Sequence, residues 1–310
     1  MKTALVTGAA GFIGNHLCEQ LLLDDYKVIG VDNFITGSQE NIDYLNEFPN
    51  FTFIEQDINE PFELNQKIDY IYDFACPASP VDFTRLKILI GKVCSIGTLN
   101  LLELAKRNDS IFLFASTSEV YGDPLENPQK ESYTGNVNII GPRGIYDEGK
   151  RFSESLIMAF HREYKLKTRI VRIFNTYGER MRANDGRVIP NFITQALKNE
   201  DITVQGDGSQ TRSIQYVSDL IDGILKLAQS NITEPINIGN PIEMTIKELA
   251  EKIIKMTNST SQLKYLPLPE DDPKLRCPDI TKARELLGWE PKISPDEGLQ
   301  RTIEWFRKSI

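Results

Sequence analysis

The chain has 310 residues, of which 40% are hydrophobic and 25% are charged. These proportions are ordinary for a globular protein and exclude a disordered, a collagen-like or a small disulfide-stapled chain. The 44 acidic residues outnumber the 35 basic ones, and the resulting net charge of -9 argues against a nucleic-acid partner.

The sequence predicts neither a membrane segment nor a metal site. No run approaches 18 consecutive apolar residues, so we expect no transmembrane helix and no membrane partner. A predicted strand follows Met1 directly, with no signal-peptide core before it, which favours a cytoplasmic location. The cysteines have no metal-ligand spacing and only two histidines occur, so we expect free thiols and no metal at Cys18, Cys76, Cys94 and Cys277.

Short apolar runs alternate with helical patterns through the first half of the chain. Strands are predicted at residues 4–7, 27–31, 51–54, 68–74, 111–115 and 169–174. Helices are predicted at residues 12–23, from about 87 to 107 and from about 146 to 164. This alternation predicts an α/β fold with a doubly wound, Rossmann-type parallel sheet that helices cover on both faces.

The second half of the chain is more irregular. Turns are predicted at residues 184–187 and 206–209, and amphipathic helices at residues 243–256 and 280–287. Prolines interrupt the pattern around these helices at Pro267, Pro269, Pro273, Pro278 and Pro291. We therefore predict a Rossmann domain at residues 1–174, rejoined by about 213–239, and a smaller, mostly C-terminal substrate lobe at residues 175–212 and 240–310.

A glycine-rich turn joins the first predicted strand to the first predicted helix. Residues 7–14 read TGAAGFIG, in which Gly8, Gly11 and Gly14 have the spacing GxxGxxG. Glycines at such a turn let the backbone approach a pyrophosphate, which binds at the positive end of the helix. A tight turn between strand and helix also requires glycine without any ligand, so both interpretations stay open at this point.

A carboxylate ends each of the next two predicted strands. Asp32 lies eighteen residues after Gly14, where a carboxylate accepts hydrogen bonds from ribose hydroxyls and repels a 2′-phosphate. The pattern therefore favours NAD over NADP, although Asp32 beside Asn33 is also an ordinary turn pair. Asp57 occupies the corresponding position after the third strand, where an adenine contact and a surface turn are equally compatible with the residues.

A tyrosine and a lysine share one face of the predicted helix that begins near residue 146. Tyr146 and Lys150 are four residues apart, and none of the other ten tyrosines has a lysine at this spacing. A nearby ammonium and the positive nicotinamide ring of NAD stabilise a phenolate, which can then take a proton from a sugar hydroxyl. An amphipathic helix with a solvated Tyr and Lys is the alternative.

Polar residues follow the fifth predicted strand, at the sheet edge where ligands bind in open α/β folds. Ser118 and Glu119 lie in the stretch 116–122 (STSEVYG), where a hydroxyl can donate to the reacting oxygen and a carboxylate can transfer protons or order water. Hydroxyl caps of a turn are the alternative. Arg187, Arg212 and Arg276 are candidate phosphate or carboxylate clamps, or ordinary surface residues.

These motifs together resemble the extended short-chain dehydrogenase/reductase family. The resemblance spans nearly the whole chain and is most specific at residues 115–124 (ASTSEVYGDP), 141–151 (GPRGIYDEGKR), 208–219 (GSQTRSIQYVSD) and 278–291 (PDITKARELLGWEP). The family implies an enzyme with tightly bound NAD and a UDP-sugar substrate. It also implies a homodimer built from the helices near residues 95–107 and 147–164.

The resemblance assigns site residues across both lobes. Ser118, Glu119, Tyr146 and Lys150 are the implied catalytic residues. The implied cofactor contacts, besides Tyr146 and Lys150, are Gly8, Gly11, Phe12, Ile13, Gly14, Asp32, Asn33, Thr36, Gly37, Asp57, Ile58, Lys92 and Thr176. The implied contacts to the nucleotide sugar are Asn175, Arg187, Asn191, Arg212 and Arg276.

The implied activity is decarboxylation of UDP-glucuronate to UDP-xylose through a 4-keto sugar, with NAD regenerated. The alternatives within the family are a nucleotide-sugar 4-epimerase and a 4,6-dehydratase. Dehydratases of this family carry an aspartic acid as proton donor where this chain has Ser118, which favours the decarboxylase. The chain departs from the family pattern at residues 85–87 and at Cys94, Glu179 and Pro190.

Overall fold

The computed structural model describes residues 1–61, 63–64, 66–268 and 275–310. The described residues form one seven-stranded sheet, called the main sheet below, and three short two-stranded sheets. In chain order the strands are β1 (Thr3–Thr7), β2 (Lys27–Asp32), β3 (Phe51–Glu55), β4 (Tyr70–Asp73), β5 (Ile111–Thr117), β6 (Lys167–Ile173), β7 (Thr176–Tyr177), β8 (Ile202–Gln205), β9 (Thr211–Ser213), β10 (Gln215–Tyr216), β11 (Pro235–Ile238), β12 (Glu243–Thr245) and β13 (Leu263–Leu266).

The helices cover both faces of the main sheet and build much of the second half of the chain. In chain order they are α1 (Phe12–Leu23), α2 (Gln39–Leu45), α3 (Pro80–Arg85), α4 (Lys87–Lys92), α5 (Thr98–Asn108), α6 (Gly144–Tyr164), α7 (Val188–Leu197), α8 (Val217–Gln229), α9 (Ile246–Thr257), α10 (Thr281–Leu287) and α11 (Pro295–Ser309). A π-helical turn, Val93–Gly97, joins α4 to α5.

The main sheet has seven parallel strands in the order β11-β6-β5-β4-β1-β2-β3. All four residues of β4 are buried, as are six of the seven in β5, because helices exclude water from both faces. The order β3-β2-β1-β4-β5-β6 is that of the Rossmann fold, so the predicted fold class is confirmed. The order reverses between β1 and β4, which opens a crevice at the carboxyl ends of the strands.

The chain returns to the sheet after leaving it at β6. The helix α8 packs on β6, and β11 then pairs with β6 from Ile170↔Pro235 to Ile173↔Ile238. Outside the sheet, the short pairs β7-β10, β9-β12 and β8-β13, together with α7 and α9, build a second layer above the crevice. Two of the predicted helix-breaking prolines, Pro269 and Pro273, lie outside the described residues.

Two predicted helices differ from the structure. The helix predicted at residues 243–256 begins at Ile246, because Glu243–Thr245 pairs as β12 with β9. Thr245 then caps the helix reciprocally with Glu248. The helix predicted from about 87 to 107 is continuous but passes through the π-helical turn at Val93–Gly97.

The same helical stretch, Lys87–Asn108, is long and apolar enough to cross a membrane by length and composition alone. Half of its most apolar window is buried inside the fold, and it packs against α6 and β4. A core helix with one buried face has the same composition, so packing accounts for the apolar residues.

Candidate active site

A cavity of about 460 Å³ lies in the crevice at the carboxyl ends of the sheet strands. Its walls come from the glycine-rich turn, from the segments after β4 and β5, from the start of α6, and from the second layer around α7. The switch in strand order therefore coincides with the largest concentration of the predicted site residues, as expected for an open α/β sheet.

The glycine-rich turn packs too closely for side chains at two positions. Gly8 has φ +72, and a Cβ there would lie 2.7 Å from the Phe74 carbonyl oxygen. A Cβ on Gly14 would lie 2.1 Å from the Gly8 carbonyl oxygen. Gly11 is the N-cap residue of α1, and no side chain accepts the first N–H groups of this helix. Gly11 and the first helical residues line the cavity, so these N–H groups are available to a ligand there. This cradle fits a dinucleotide pyrophosphate.

Asp32 lies at the adenosine end of the cavity. Its carboxylate accepts hydrogen bonds from the N–H groups of Ala10 (3.0 Å) and Phe34 (2.8 Å). These bonds fix the carboxylate beside the glycine-rich turn, while each oxygen keeps a lone pair for a ribose hydroxyl. Burial raises the pKa of Asp32 above its ordinary value, and the backbone hydrogen bonds oppose that shift.

Most of the other predicted cofactor residues line the same cavity, and two do not. The lining includes Phe12, Ile13, Asn33, Thr36, Asp57, Ile58 and Thr176. Gly37 instead packs behind the turn, where a Cβ would lie 2.5 Å from the Ala10 Cβ. Lys92 is exposed at the end of α4, and its neighbours Leu89 and Val93 line the cavity in its place. The cofactor contacts of Gly37 and Lys92 therefore stay predictions that the cavity lining does not support.

Tyr146 and Lys150 lie in the first two turns of α6 and both line the cavity. The Lys150 ammonium donates to the Ala115 carbonyl oxygen at 2.8 Å and lies 6.0 Å from the centre of the Tyr146 ring. Both side chains are 4% exposed, so water screens their interaction weakly. Burial acts to lower the pKa of Lys150, but Cys76, Cys94 and Tyr146 raise it overall, which keeps the ammonium charged.

The phenol of Tyr146 is not ionised by its protein neighbours alone. Burial raises the pKa of Tyr146 above its ordinary value, and this outweighs the lowering effect of Lys150 and of a hydrogen bond from Thr117. The lysine therefore supplies only part of the stabilisation that a phenolate requires. A second positive charge at the cavity, such as an oxidised nicotinamide ring, acts in the same direction.

The segment after β5 places hydroxyls beside Tyr146. Thr117 hydrogen bonds the Tyr146 phenol and accepts the N–H of Glu119 at 3.2 Å. Ser118 is 3% exposed and lines the cavity next to Thr117. The sequence singled out Ser118, whereas the hydroxyl in contact with the phenol is that of Thr117. Thr117 ends β5 and Ser118 begins a 3₁₀ turn, so the two neighbouring hydroxyls point in different directions. The sequence did not reveal which of them faces α6.

Glu119 is held between two guanidinium groups. Its Oε2 accepts from Arg143 at 2.6 Å and from Arg276 at 3.1 Å. Burial alone would raise the pKa of Glu119, but Arg276 and Arg143 hold it at about 2. Glu119 is therefore a carboxylate at neutral pH. It can order water or accept a proton, and it is a poor proton donor.

Arg276 lies at the end of the cavity that holds Ser118 and Glu119. Its side chain is 1% exposed and also donates to the Ser118 carbonyl oxygen. The two guanidinium groups exceed the Glu119 carboxylate by one positive charge. The nearby Asp147 carboxyl cancels that excess only in part at neutral pH, because burial raises its pKa to about 7. The remaining positive charge suits an anionic group on the sugar. Residues 269–274, which precede Leu275 and Arg276, lie outside the described residues.

The remaining predicted substrate residues line the opposite part of the cavity: Asn175, Arg187, Asn191 and Arg212. Arg187 forms an ion pair with Asp185 at 2.6 Å, and Arg212 donates to the Thr211 carbonyl oxygen at 2.8 Å. Both guanidinium groups border the cavity, where such groups can contact an anionic ligand. The structure thus brings the predicted catalytic and substrate residues to one cavity.

Sequence reasoning missed two residues at the catalytic end. Arg143, three residues before Tyr146, shares its face of the helix and could have been found from that spacing. Phe83 stacks on the Tyr146 ring with 4.4 Å between centroids, and nothing in its own sequence context signals this contact.

Comparison with known proteins agrees with this geometry. The profile of the family described as "GDP-mannose 4,6 dehydratase" matches residues 5–302. UDP-glucuronic acid decarboxylase 1 of Danio rerio is 49% identical over 309 residues, which cover 100% of this chain and 73% of that protein. UDP-glucuronic acid decarboxylase 2 of Arabidopsis thaliana is 50% identical over 306 residues, covering 99% of this chain and 68% of that protein.

Solved structures show the same architecture. The UDP-glucuronic acid 4-epimerase of Bacillus cereus, determined with UDP-glucuronic acid and NAD, has a TM-score of 0.88 and 29% identity and covers 99% of this chain and 100% of its own. The chain belongs to the extended short-chain dehydrogenase/reductase family, in the group that the GDP-mannose 4,6-dehydratase profile describes.

Proposed function

We propose that this protein decarboxylates UDP-glucuronate to UDP-xylose. The observation that carries this assignment is the pair Arg143 and Arg276 around Glu119, beside the hydroxyl-assisted Tyr146. A neutral hexose gains little from the excess positive charge, whereas a uronate carboxylate is attracted to it. The two curated relatives that match the whole chain carry the same activity in their names.

NAD is the cofactor, and its site consists of the glycine cradle, Asp32 and the catalytic pair Tyr146 and Lys150. Bound there, NAD would supply a reversible hydride acceptor for C4 of the sugar, beside Tyr146 and Lys150. Asp32 holds the ribose hydroxyls and disfavours a 2′-phosphate, which selects NAD over NADP.

Residues of the protein accept the proton of the C4 hydroxyl and stabilise the negative charge that forms on Tyr146. Tyr146 accepts the C4 hydroxyl proton, with Lys150 and the Thr117 hydroxyl stabilising the phenolate. A ketone at C4 places the sugar carboxylate on the carbon beside the carbonyl. Carbon dioxide can then leave because its bonding electrons delocalise into the ketone as an enolate. The enolate takes up one proton at C5 before C4 is reduced to the alcohol of the pentose. The Ser118 hydroxyl is too weak an acid to expel hydroxide from C6, so dehydration is not the outcome.

The activity is tested by incubating the purified protein with NAD and UDP-glucuronate and following the products by proton NMR. The expected products are UDP-xylose and carbon dioxide, without net NADH. UDP-glucose serves as a control substrate, because it lacks the carboxylate and should not yield a pentose. Unchanged UDP-glucuronate, or conversion to UDP-galacturonate, would contradict the decarboxylase assignment.

We propose further that the protein is a homodimer. Apolar side chains are exposed on two adjacent helical stretches: Ile96 (45%) and Leu99 (41%) before and within α5, and Ile145 (38%) and Phe152 (51%) on α6. A second copy that packs against these helices would cover all four side chains. Sedimentation should give a dimer for the native protein and a monomer for Phe152→Glu, with Leu125→Glu on an exposed loop as a control. A native monomer would contradict this proposal.

We propose a cytoplasmic location without membrane attachment. The support is that Cys18, Cys76, Cys94 and Cys277 are all free thiols, which suits a reducing compartment. Fractionation of the producing cells should leave the protein in the cytosolic fraction, and recovery with membranes would contradict the proposal.

A further inference from the structure

Two cysteine sulfurs meet beside the catalytic lysine. The Sγ atoms of Cys76 and Cys94 are 3.8 Å apart, although Cys76 follows β4 and Cys94 lies in the π-helical turn between α4 and α5. Both sulfurs are in contact with the apolar cluster that contains Tyr146 and Phe83. The pair therefore links the sheet edge to the helix behind the active site.

The two thiols differ in their access to the cavity. Cys76 lines the cavity, whereas Cys94 is 1% exposed and does not. The backbone of Gly149 leaves room for the Cys94 sulfur, which would lie 3.2 Å from any Cβ at that position. A small reagent that enters the cavity thus reaches Cys76 first, with Cys94 waiting behind it.

The surroundings favour the reactive, ionised form of Cys76. The hydrogen bond from Cys94 lowers the pKa of the Cys76 thiol, and the Lys150 ammonium acts in the same direction against the effect of burial. The hydrogen bond with Cys76 and burial raise the pKa of Cys94, so Cys76 is the thiol of the pair that ionises more readily. A thiolate beside a cation is the species that reacts with peroxides.

We propose that Cys76 and Cys94 form an oxidation site at which a peroxide closes a disulfide and reversibly inactivates the enzyme. Cys76 attacks the peroxide as a thiolate, breaks the O–O bond and becomes a sulfenic acid, while the second oxygen leaves as hydroxide. The Cys94 thiol then displaces the sulfenic hydroxyl and loses its proton. In sum, two thiols lose two electrons and two protons, and one hydrogen peroxide becomes two waters.

Closure of the disulfide must move the active site. A disulfide bond is about 2.0 Å long, so the sulfurs approach one another by roughly 1.8 Å. Cys76 belongs to an irregular segment that leads directly into α3, and α3 carries the Phe83 ring stacked on Tyr146. Displacements of this size at a catalytic group lower turnover by roughly tenfold or more.

The crosslink is tested on the purified, NAD-loaded protein. After treatment with hydrogen peroxide, thiols are alkylated and the peptides are analysed by mass spectrometry, while decarboxylation is measured before and after dithiothreitol. We expect a peptide that joins Cys76 to Cys94, loss of activity in proportion to that peptide, and recovery of both on reduction. The mass readout does not depend on substrate, so it remains valid if the assigned reaction is wrong.

Variants separate the pair from general oxidation damage, with each activity expressed relative to that of the same untreated variant. Cys94→Ser removes the resolving thiol, so in excess hydrogen peroxide the Cys76 sulfenic acid reacts with a second peroxide and becomes a sulfinic acid. Dithiothreitol does not reduce a sulfinic acid, and the activity should not return. Cys277→Ser, which leaves the pair intact, should behave like the native protein. The proposal is overturned if no Cys76–Cys94 peptide forms, if the crosslinked protein keeps full activity, or if Cys94→Ser recovers as the native protein does.

Discussion

The ring of Phe83 stacks on the ring of Tyr146, with 4.4 Å between centroids and 26° between planes. The guanidinium of Arg143 also lies over the Phe83 ring, 5.3 Å from its centre. The same guanidinium donates to Glu119 Oε2 at 2.6 Å. Phe83 thus contacts two parts of the site, the proposed base Tyr146 and the arginine that pairs with Glu119.

Replacement of Phe83 should therefore make the position of the Tyr146 ring less fixed while the phenol stays in place. In Phe83→Leu the stacked ring is lost, and we expect kcat to fall roughly tenfold while NAD affinity is unchanged. Phe83→Tyr keeps the ring and should restore most of the activity. Steady-state kinetics and a direct NAD titration test this, and equal kcat values for the leucine variant and the native enzyme would show that the stack is irrelevant.

Removal of the Tyr146 hydroxyl should abolish chemistry and leave binding intact. Tyr146→Phe keeps the ring against Phe83, and we expect kcat to fall by about 10³-fold or more, because a positioned general base contributes on this scale. NAD binding, measured by calorimetry, should stay within a factor of a few. Tyr164→Phe, on the exposed end of the same helix, is the matched control and should keep native kcat. Substantial turnover by Tyr146→Phe would rule out this residue as the base.

The charge on Glu119 should contribute to the acid side of the pH profile, together with the carboxyls of Asp73 and Asp147, whose pKa values burial raises to about 6 and about 7. The pKa of Glu119 is about 2 because Arg276 and Arg143 outweigh its burial, so the native carboxylate stays ionised until the pH falls well below 4. Arg143→Gln removes one of the two cations, and the acid limb of kcat/KM should move up by about one unit or more. Its counterpart Arg284→Gln, which breaks only an exposed pair with Glu290, should not shift it. An acid limb that stays in place would separate Glu119 from the reaction.

Closing the glycine cradle should prevent dinucleotide binding. A Cβ on Gly14 would lie 2.1 Å from the Gly8 carbonyl oxygen, so Gly14→Ala must displace the turn that receives the pyrophosphate. We expect NAD affinity to fall by at least about a hundredfold. Gly91→Ala meets only the flexible end of Ile145 at 3.1 Å and should bind NAD normally. Native affinity in Gly14→Ala would place the pyrophosphate elsewhere.

The elements predictable from the sequence are those whose signals are local. The helix at residues 12–23 follows a glycine turn and matches the structure residue for residue, and the Tyr146–Lys150 spacing needs only one helix turn. The predicted start of α9 was wrong because Glu243–Thr245 forms β12, which pairs with the distant strand β9. Such pairing depends on tertiary contacts that no local pattern encodes.

Site residues follow the same division. Lys92 was assigned by resemblance. It is exposed at the end of α4, and Leu89 and Val93 line the cavity. Phe83 reaches Tyr146 from a short helix more than sixty residues earlier, through the packing of α3 and α4 near α6. Arg276 was identified, but only the fold brings it to Glu119, 157 residues away in sequence.

The most direct test of the mechanism follows the hydrogen at C4. UDP-glucuronate labelled with deuterium at C4 is incubated with the NAD-loaded protein in ordinary water, and the product is analysed by NMR and mass spectrometry. The account predicts UDP-xylose that retains the deuterium at C4, with no net formation of reduced cofactor. A pentose product whose C4 label has been exchanged for solvent hydrogen, or a labelled hexuronate released without loss of carbon dioxide, would contradict it.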